Sequence, residues 1–168
     1  MAGRHRAKSR IEFIRKQTDD HFHIEVAAYP EIHPDAKSYD SDIAFLKQKF
    51  DAGANSAITQ YFYNADSYFY YRDACLKAGI DKPIYVGLMP ITNFANLQRF
   101  SRNCGAEIPQ WLVRKIDSLG DDKQAIAEAG QEIVIRLGEQ LLKGGAPGIH
   151  FYTMNQLEPT QSIYKALL

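Results

Sequence analysis

The sequence predicts an α/β fold assembled from parallel strand–helix units. Four short runs rich in β-branched and aromatic residues, at 23–28, 57–63, 84–88 and 149–152, are each followed by a stretch of helical periodicity. The runs recur at intervals of roughly 30 residues, the size of a strand–helix–strand unit, and the last interval is longer because a further helix is inserted. Turn residues mark each change of period: Pro30 and Pro34, Gly53, Gly79 and Pro83, then the cluster Gly144, Gly145, Pro147 and Gly148. Strands joined in this way take right-handed crossovers. A closed eight-stranded barrel needs about 250 residues, and this chain has 168. The units therefore make about half a barrel or a four-stranded open sheet, and composition does not separate the two.

Each element has a local cause. Residues 1–10 carry Arg4, His5, Arg6, Lys8 and Arg10 with no acid, and no apolar stretch follows as a secretory signal requires. A floppy, solvated leader is expected there, ahead of a domain at 11–168; an organelle transit peptide, or a start outside the original reading frame, is the alternative. Ile11, Phe13 and Ile14 in a charged stretch predict a short helix ending near Asp19 or Asp20. The strand at 23–28 stops before Pro30, because proline cannot donate to a ladder. Ser38 is the N-cap of the next helix, with Asp40 and Asp42 favourable in its first turn. Ile43, Leu46 and Phe50 form its apolar face and Gly53 closes it. The strand at 57–63 leads to a helix from Asp66 to Gly79, and Pro83 precedes the strand at 84–88. Asn93 caps the following helix, Ile108-Pro109 starts another, and Asp121 or Asp122 opens an amphipathic run to about Lys143. After the strand at 149–152, Pro159 falls in the first turn of a closing helix, where it is tolerated.

Composition excludes several classes of function. Lysine plus arginine and aspartate plus glutamate are 20 each, so no global charge draws the chain to nucleic acid or an acidic membrane. No run approaches the ~18 apolar residues of a membrane span. Two cysteines, Cys75 and Cys104, make no disulfide framework and suit a reducing, cytosolic compartment.

In strand–helix folds ligands gather at the carboxyl ends of the strands. Those ends carry Tyr29, Glu31 and His33; then Gln60, Tyr61 and Tyr63; then Met89, Thr92 and Asn93; then Tyr152, Thr153 and Asn155. The set is rich in amides, hydroxyls and rings, and holds no serine elbow, reactive cysteine motif or acid pair. It suits a planar, hydrogen-bonding ligand stacked between rings. His21, His23 and His33 suggest either a zinc site or, more plainly, surface histidines beside a strand. The glycine cluster at 144–148 precedes a strand, so it is a helix stop and no phosphate loop. Aromatic residues dominate 61–71 with only Arg72 nearby, which fits packing better than base stacking. Asp42 and Lys49 lie two helical turns apart and project from nearly one side. They either hold a ribose hydroxyl and a phosphate or belong to a solvated face.

Four blocks carry a resemblance: HIEVAAYPEIHPDAKS at 23–38, DAGANSAITQYFY at 51–63, GLMPITNF at 87–94 and HFYTMNQ at 150–156. In order and spacing they resemble methylenetetrahydrofolate reductase, across almost everything after Arg10. The resemblance implies the (β/α)8 TIM-barrel family, with this chain covering about the last four β/α units, from the end of the fourth helix through the eighth unit. It implies a cytoplasmic flavoprotein of one-carbon metabolism and methionine biosynthesis, using FAD and NAD(P)H to reduce 5,10-methylenetetrahydrofolate to 5-methyltetrahydrofolate. By position, Tyr29 and His33 match flavin-contacting loop residues, Asp42 and Lys49 match contacts to the adenosine and phosphate part, and Tyr152 lies beside the flavin. Gln60 matches a glutamine that bonds the folate pterin and the nicotinamide amide, and Phe100 matches a ring that stacks on the aminobenzoyl group. Ala54 matches a small residue at a helix end, and Phe45, Gln48, Asn96 and Gln156 match positions with other polar ligands in some members. The family's general acid and its flavin-side aspartate come from the first four strands and have no counterpart here, so no catalytic residue is assigned in this chain, and no metal. The expected partners are the folate substrate and either a homo-oligomer or a complementary barrel half, with no nucleic acid and no membrane. The alternative is a non-catalytic half-barrel; another flavin barrel, such as proline dehydrogenase, is argued against by the four blocks.

Overall fold

The structure is a computed structural model describing residues 2–168, with side chains from Ala7 onward. Its elements run α1 (Ala2–Thr18), β1 (Glu25–Ala28), α2 (Tyr39–Asp51), β2 (Ser56–Thr59), α3 (Ala65–Lys77), β3 (Ile84–Leu88), α4 (Phe94–Cys104), α5 (Gln110–Asp117), α6 (Lys123–Lys143), β4 (Ile149–Phe151) and α7 (Leu157–Leu167). The four strands pair in parallel in the order β1-β2-β3-β4, as the repeated spacing predicts. A sheet in sequential order with right-handed crossovers keeps its helices on one face.

Caps fix the helix starts. The Ser38 hydroxyl accepts from Ser41 N–H at 3.2 Å while Ser41 Oγ accepts from Ser38 N–H at 3.0 Å, a reciprocal capping box. Asn93 Oδ1 accepts from Asn96 N–H, and Asp122 Oδ1 from Gln124 and Ala125 N–H at 3.0 Å each. Asn64, two residues before the predicted start at Asp66, caps α3 by accepting from Asp66 N–H. Gly53, at φ 110°, follows the α2 C-cap in a conformation that a side chain would strain.

The core lies between the sheet and the helices. Val86, Ala57 and Leu141 are fully enclosed, and Phe62 stacks on Tyr68 with planes 2° apart. The Tyr68 hydroxyl donates to Ile84 O at 3.0 Å, so a large ring is buried without orphaning its polar tip.

Two expectations change. The basic segment does not stand apart as a floppy leader: α1 begins at Ala2, and alanine, arginine and lysine are strong helix formers. Farther along α1, Ile11 is 3% exposed, and the Arg15 guanidinium donates to Gly53 O and to Asn55 Oδ1 at 2.6 Å, tying the helix to the α2–β2 turn. The second strand ends at Thr59, not Tyr63, although Tyr61, Phe62 and Tyr63 have strong strand propensity. Thr59 Oγ1 takes the Gly87 N–H at 2.8 Å, so a side chain replaces the next ladder bond. Gln60 therefore lies just past the strand, and Tyr152 likewise lies one residue beyond β4.

Both edges of the sheet are open among the described residues. Ile24 O and Ala28 O accept bonds from the β2 side, so alternation turns the backbone groups of Glu25 and Ala27 outward. Gly148 O and Tyr152 N–H serve β3, which turns those of Ile149 and Phe151 outward on the far edge.

Candidate ligand site at the strand ends

The site begins with α2. Its start is set by the capping box, and Asp42 and Lys49 sit two turns apart on the side facing β1, each 7% exposed. Asp42 Oδ2 accepts the His33 backbone N–H at 2.8 Å, and the Lys49 ammonium donates to the outward-facing Ala27 carbonyl. The helix thus pins the loop after β1. Within that loop His33 Nδ1 accepts from Asp35 N–H at 3.0 Å, and the Tyr29 and His33 rings meet edge to face at 4.5 Å. Ile32 between them has φ 67°, a left-handed conformation that is strained for a β-branched residue. Strain of this kind persists where surrounding contacts over-determine it, and it clusters at ligand sites.

Tyr29, His33, Asp42, Phe45 and Lys49 line one cleft of about 480 Å³, whose other wall is Arg10, Ile11 and Ile14 of α1. Of these only Arg10 falls in the segment read as a leader; Ile11 and Ile14 were expected in a short helix, and their i, i+3 spacing was the signal for a wall. Tyr29 also borders a much smaller cavity of about 10 Å³, shared with Glu31, Gln60, Tyr61 and Cys104. Gln60 and the α2 pair are therefore neighbours through Tyr29.

Gln60 Oε1 accepts from the Tyr61 backbone N–H at 3.0 Å. Tyr152 crosses the end of the sheet, donating its hydroxyl to Thr59 O at 3.0 Å, and Gly87 leaves room for its ring. Tyr61 packs against Tyr152 and shares a network with Ser101 Oγ at 3.0 Å and Cys104 Sγ at 3.4 Å. Burial, followed by the Cys104 hydrogen bond, pushes the Tyr61 hydroxyl well above its ordinary range. This network is invisible in sequence, since its members lie some 40 residues apart.

Phe100 is not brought into the cleft: it lies half-buried on α4 with the Arg99 guanidinium 5.4 Å over its ring. Ala54 is buried at the end of α2, where its N–H donates to Lys49 O at 3.1 Å. Gln48, Asn96 and Gln156 are exposed. His21, His23 and His33 are used separately, His21 against Phe22, His23 on Ser56 Oγ and His33 in the loop. Among the described residues no group of three His, Cys, Asp or Glu side chains could hold a metal, and no helix is long and apolar enough to cross a membrane.

A four-stranded parallel sheet in sequential order, with helices between its strands and an aromatic, amide and lysine rim at its strand ends, has the architecture of a partial β/α barrel. Comparison with known proteins makes this particular: the chain belongs to the methylenetetrahydrofolate reductase family, whose model matches residues 2–168. It is 42% identical over 161 residues to 5,10-methylenetetrahydrofolate reductase of Escherichia coli K12, covering 96% of this chain and 54% of that protein. It is 45% identical over 153 residues to the reductase of Buchnera aphidicola subsp. Schizaphis graminum, covering 91% and 52%. The chain thus spans about half the length of these relatives. Among solved structures, an uncharacterized Clostridium thermocellum protein described as binding two copies of 5-methyl-5,6,7,8-tetrahydrofolic acid shares the fold, with a TM-score of 0.61, 23% identity and coverage of 92% and 56%.

Proposed function

We propose that this chain supplies the flavin-binding and folate-binding strand ends of a methylenetetrahydrofolate reductase using NAD(P)H, in the cytoplasm and in the supply of methyl groups for methionine. The observation that carries this is the cleft in which Tyr29, His33, Asp42 and Lys49 converge. Its donor chemistry fits FAD. An ammonium has three N–H donors and can serve a strand carbonyl and a phosphate together. A carboxylate has lone pairs enough to hold both the loop N–H and a ribose hydroxyl. Tyr29, His33 and Tyr152 supply the rings and polar tips that flank a planar group. Bound there, the flavin would supply the hydride chemistry, and the protein would orient and polarise. Gln60, with a donor and an acceptor on one amide, would pair with a pterin edge or a carboxamide after its oxygen leaves the Tyr61 N–H. Phe100 would have to reach the folate ring from α4. A folate ligand is also what the Clostridium thermocellum protein is described as binding.

The open edges at Glu25 and Ala27 and at Ile149 and Phe151 favour a second reading of the same site. The chain would then act with a complementary barrel half or a second copy and be a non-catalytic half by itself.

Gln60→Ala tests the folate side. With the barrel completed, flavin content should stay near wild type while both the NAD(P)H and folate half-reactions slow, by about 0.5–1.5 kcal/mol for one neutral hydrogen bond. Rapid-mixing kinetics of the two half-reactions would show this; unchanged rates in both would leave Gln60 a structural amide.

A further inference from the structure

Where the loop after β2 enters α3, the first turn of that helix meets α5 and α6 around a second cleft, of about 530 Å³. This is within the range of small-ligand pockets, about 300–1,000 Å³. Trp111 and Lys115 lie one turn apart on the α5 wall, and Arg136 and Gln140 one turn apart on the α6 wall. Between them Ala65 and Leu137, 4% and 6% exposed, make an apolar floor. Trp111 is 52% exposed although its neighbour Leu112 is fully buried, so the core does not use the indole. It is also the sole tryptophan of the chain. The lining holds two cations against one acid, Glu132, and that carboxylate is paired to Arg136 along α6. The charge of Lys115 has no acid to answer it within the lining.

We infer that this cleft binds a small planar anion, an aromatic ring bearing a carboxylate or a phosphate. The ring would lie on Trp111 and the anion between Lys115 and Arg136, with the Gln140 amide alongside. A ring and a charge are both asked for, because the indole offers a π face and the ammonium and guanidinium offer charge-assisted donors. None of these residues takes part in the proposed flavin or folate contacts, so this inference is independent of them.

The single tryptophan makes the cleft directly observable. Fluorescence of the purified chain, excited at the red edge of the indole band, would be titrated with AMP, benzoate, adenosine and inorganic phosphate. Saturable quenching by AMP or by benzoate is expected, and whichever binds tighter identifies the anion. Adenosine and phosphate, each with half the chemistry, should bind more weakly. Lys115→Ala and Arg136→Gln should each weaken binding by about tenfold, the loss of a charge-assisted bond, with circular dichroism unchanged. Calorimetry on Trp111→Phe, which keeps a ring, should retain weaker binding. The proposal is overturned if no probe saturates in the millimolar range, if adenosine quenches as well as AMP, or if the Lys115 and Arg136 variants bind like wild type.

Discussion

At Glu31, burial and hydrogen bonding act in opposite directions. One oxygen accepts the Glu107 backbone N–H at 2.7 Å across 76 residues, while the other is buried without a hydrogen-bond partner. Burial dominates and, with the Glu107 carboxylate nearby, raises its pKa above the ordinary 4.5 despite the backbone bond. A group whose folded pKa is raised contributes stability that is fully present below its unfolded pKa and lost as pH rises through the folded value. Glu31→Gln keeps an acceptor but never ionises. It should therefore match wild type near pH 4 and be the more stable protein at pH 7, as urea midpoints at the two values would record. An equal gap at both would mean that Glu31 does not titrate in this range. Gly87 is constrained by shape instead: a Cβ there would strike the Thr59 carbonyl and come within 2.6 Å of Tyr152 Cε2. Gly87→Ala should cost about 2–3 kcal/mol, the upper part of the overpacking range, measured by urea unfolding. A loss below a few tenths would show that the Thr59 carbonyl and the Tyr152 ring both have room to move.

At the scale of elements, α2 links sequence to site most plainly. Its capping box sets where the helix starts, and the start sets which side Asp42 and Lys49 present. Ser38→Ala should lower stability by about 1 kcal/mol and weaken flavin retention more than the same loss of stability placed at the exposed start of α6. Thermal melts of Ser38→Ala beside Asp122→Ala, and flavin titration of each mixed with the complementary N-terminal half, would separate the two effects. That Asp42 and Lys49 share a side was legible from spacing, as were the parallel strand–helix units and most caps, because each rests on a local period or a single side chain. The ends of strands were less legible. Tyr61, Phe62 and Tyr63 read as strand by propensity, and only the Thr59–Gly87 bond, made across 28 residues, shows why the ladder stops. The basic segment misled through composition: charge implied solvation, while the helix propensity of the same residues and the burial of Ile11 farther along make it part of α1. Gln60 and Phe100 could be named by resemblance, yet their geometry depends on a neighbour's N–H and on the placement of α4, which no local pattern encodes.

For the whole molecule, the decisive feature is a four-stranded parallel sheet with two open edges and a ligand rim at one end. All-parallel sheets are ordinarily covered on both faces, and open edges invite pairing with another strand. Lys49 bears on both properties, since its ammonium covers the Ala27 carbonyl on the β1 edge and also lines the proposed flavin cleft. Closing the barrel and seating the flavin are therefore expected to be coupled. Flavin binding by the purified chain, alone and mixed with the separately produced N-terminal half of the Escherichia coli reductase, tests this most directly, with Lys49→Ala run in parallel. No stoichiometric yellow complex and no NAD(P)H–menadione turnover are expected from the chain alone; both should appear in the mixture and fall at least about tenfold with Lys49→Ala, the loss of a charge-assisted contact. Stoichiometric flavin and turnover from the chain alone, or a mixture whose flavin binding ignores Lys49→Ala, would contradict that coupling.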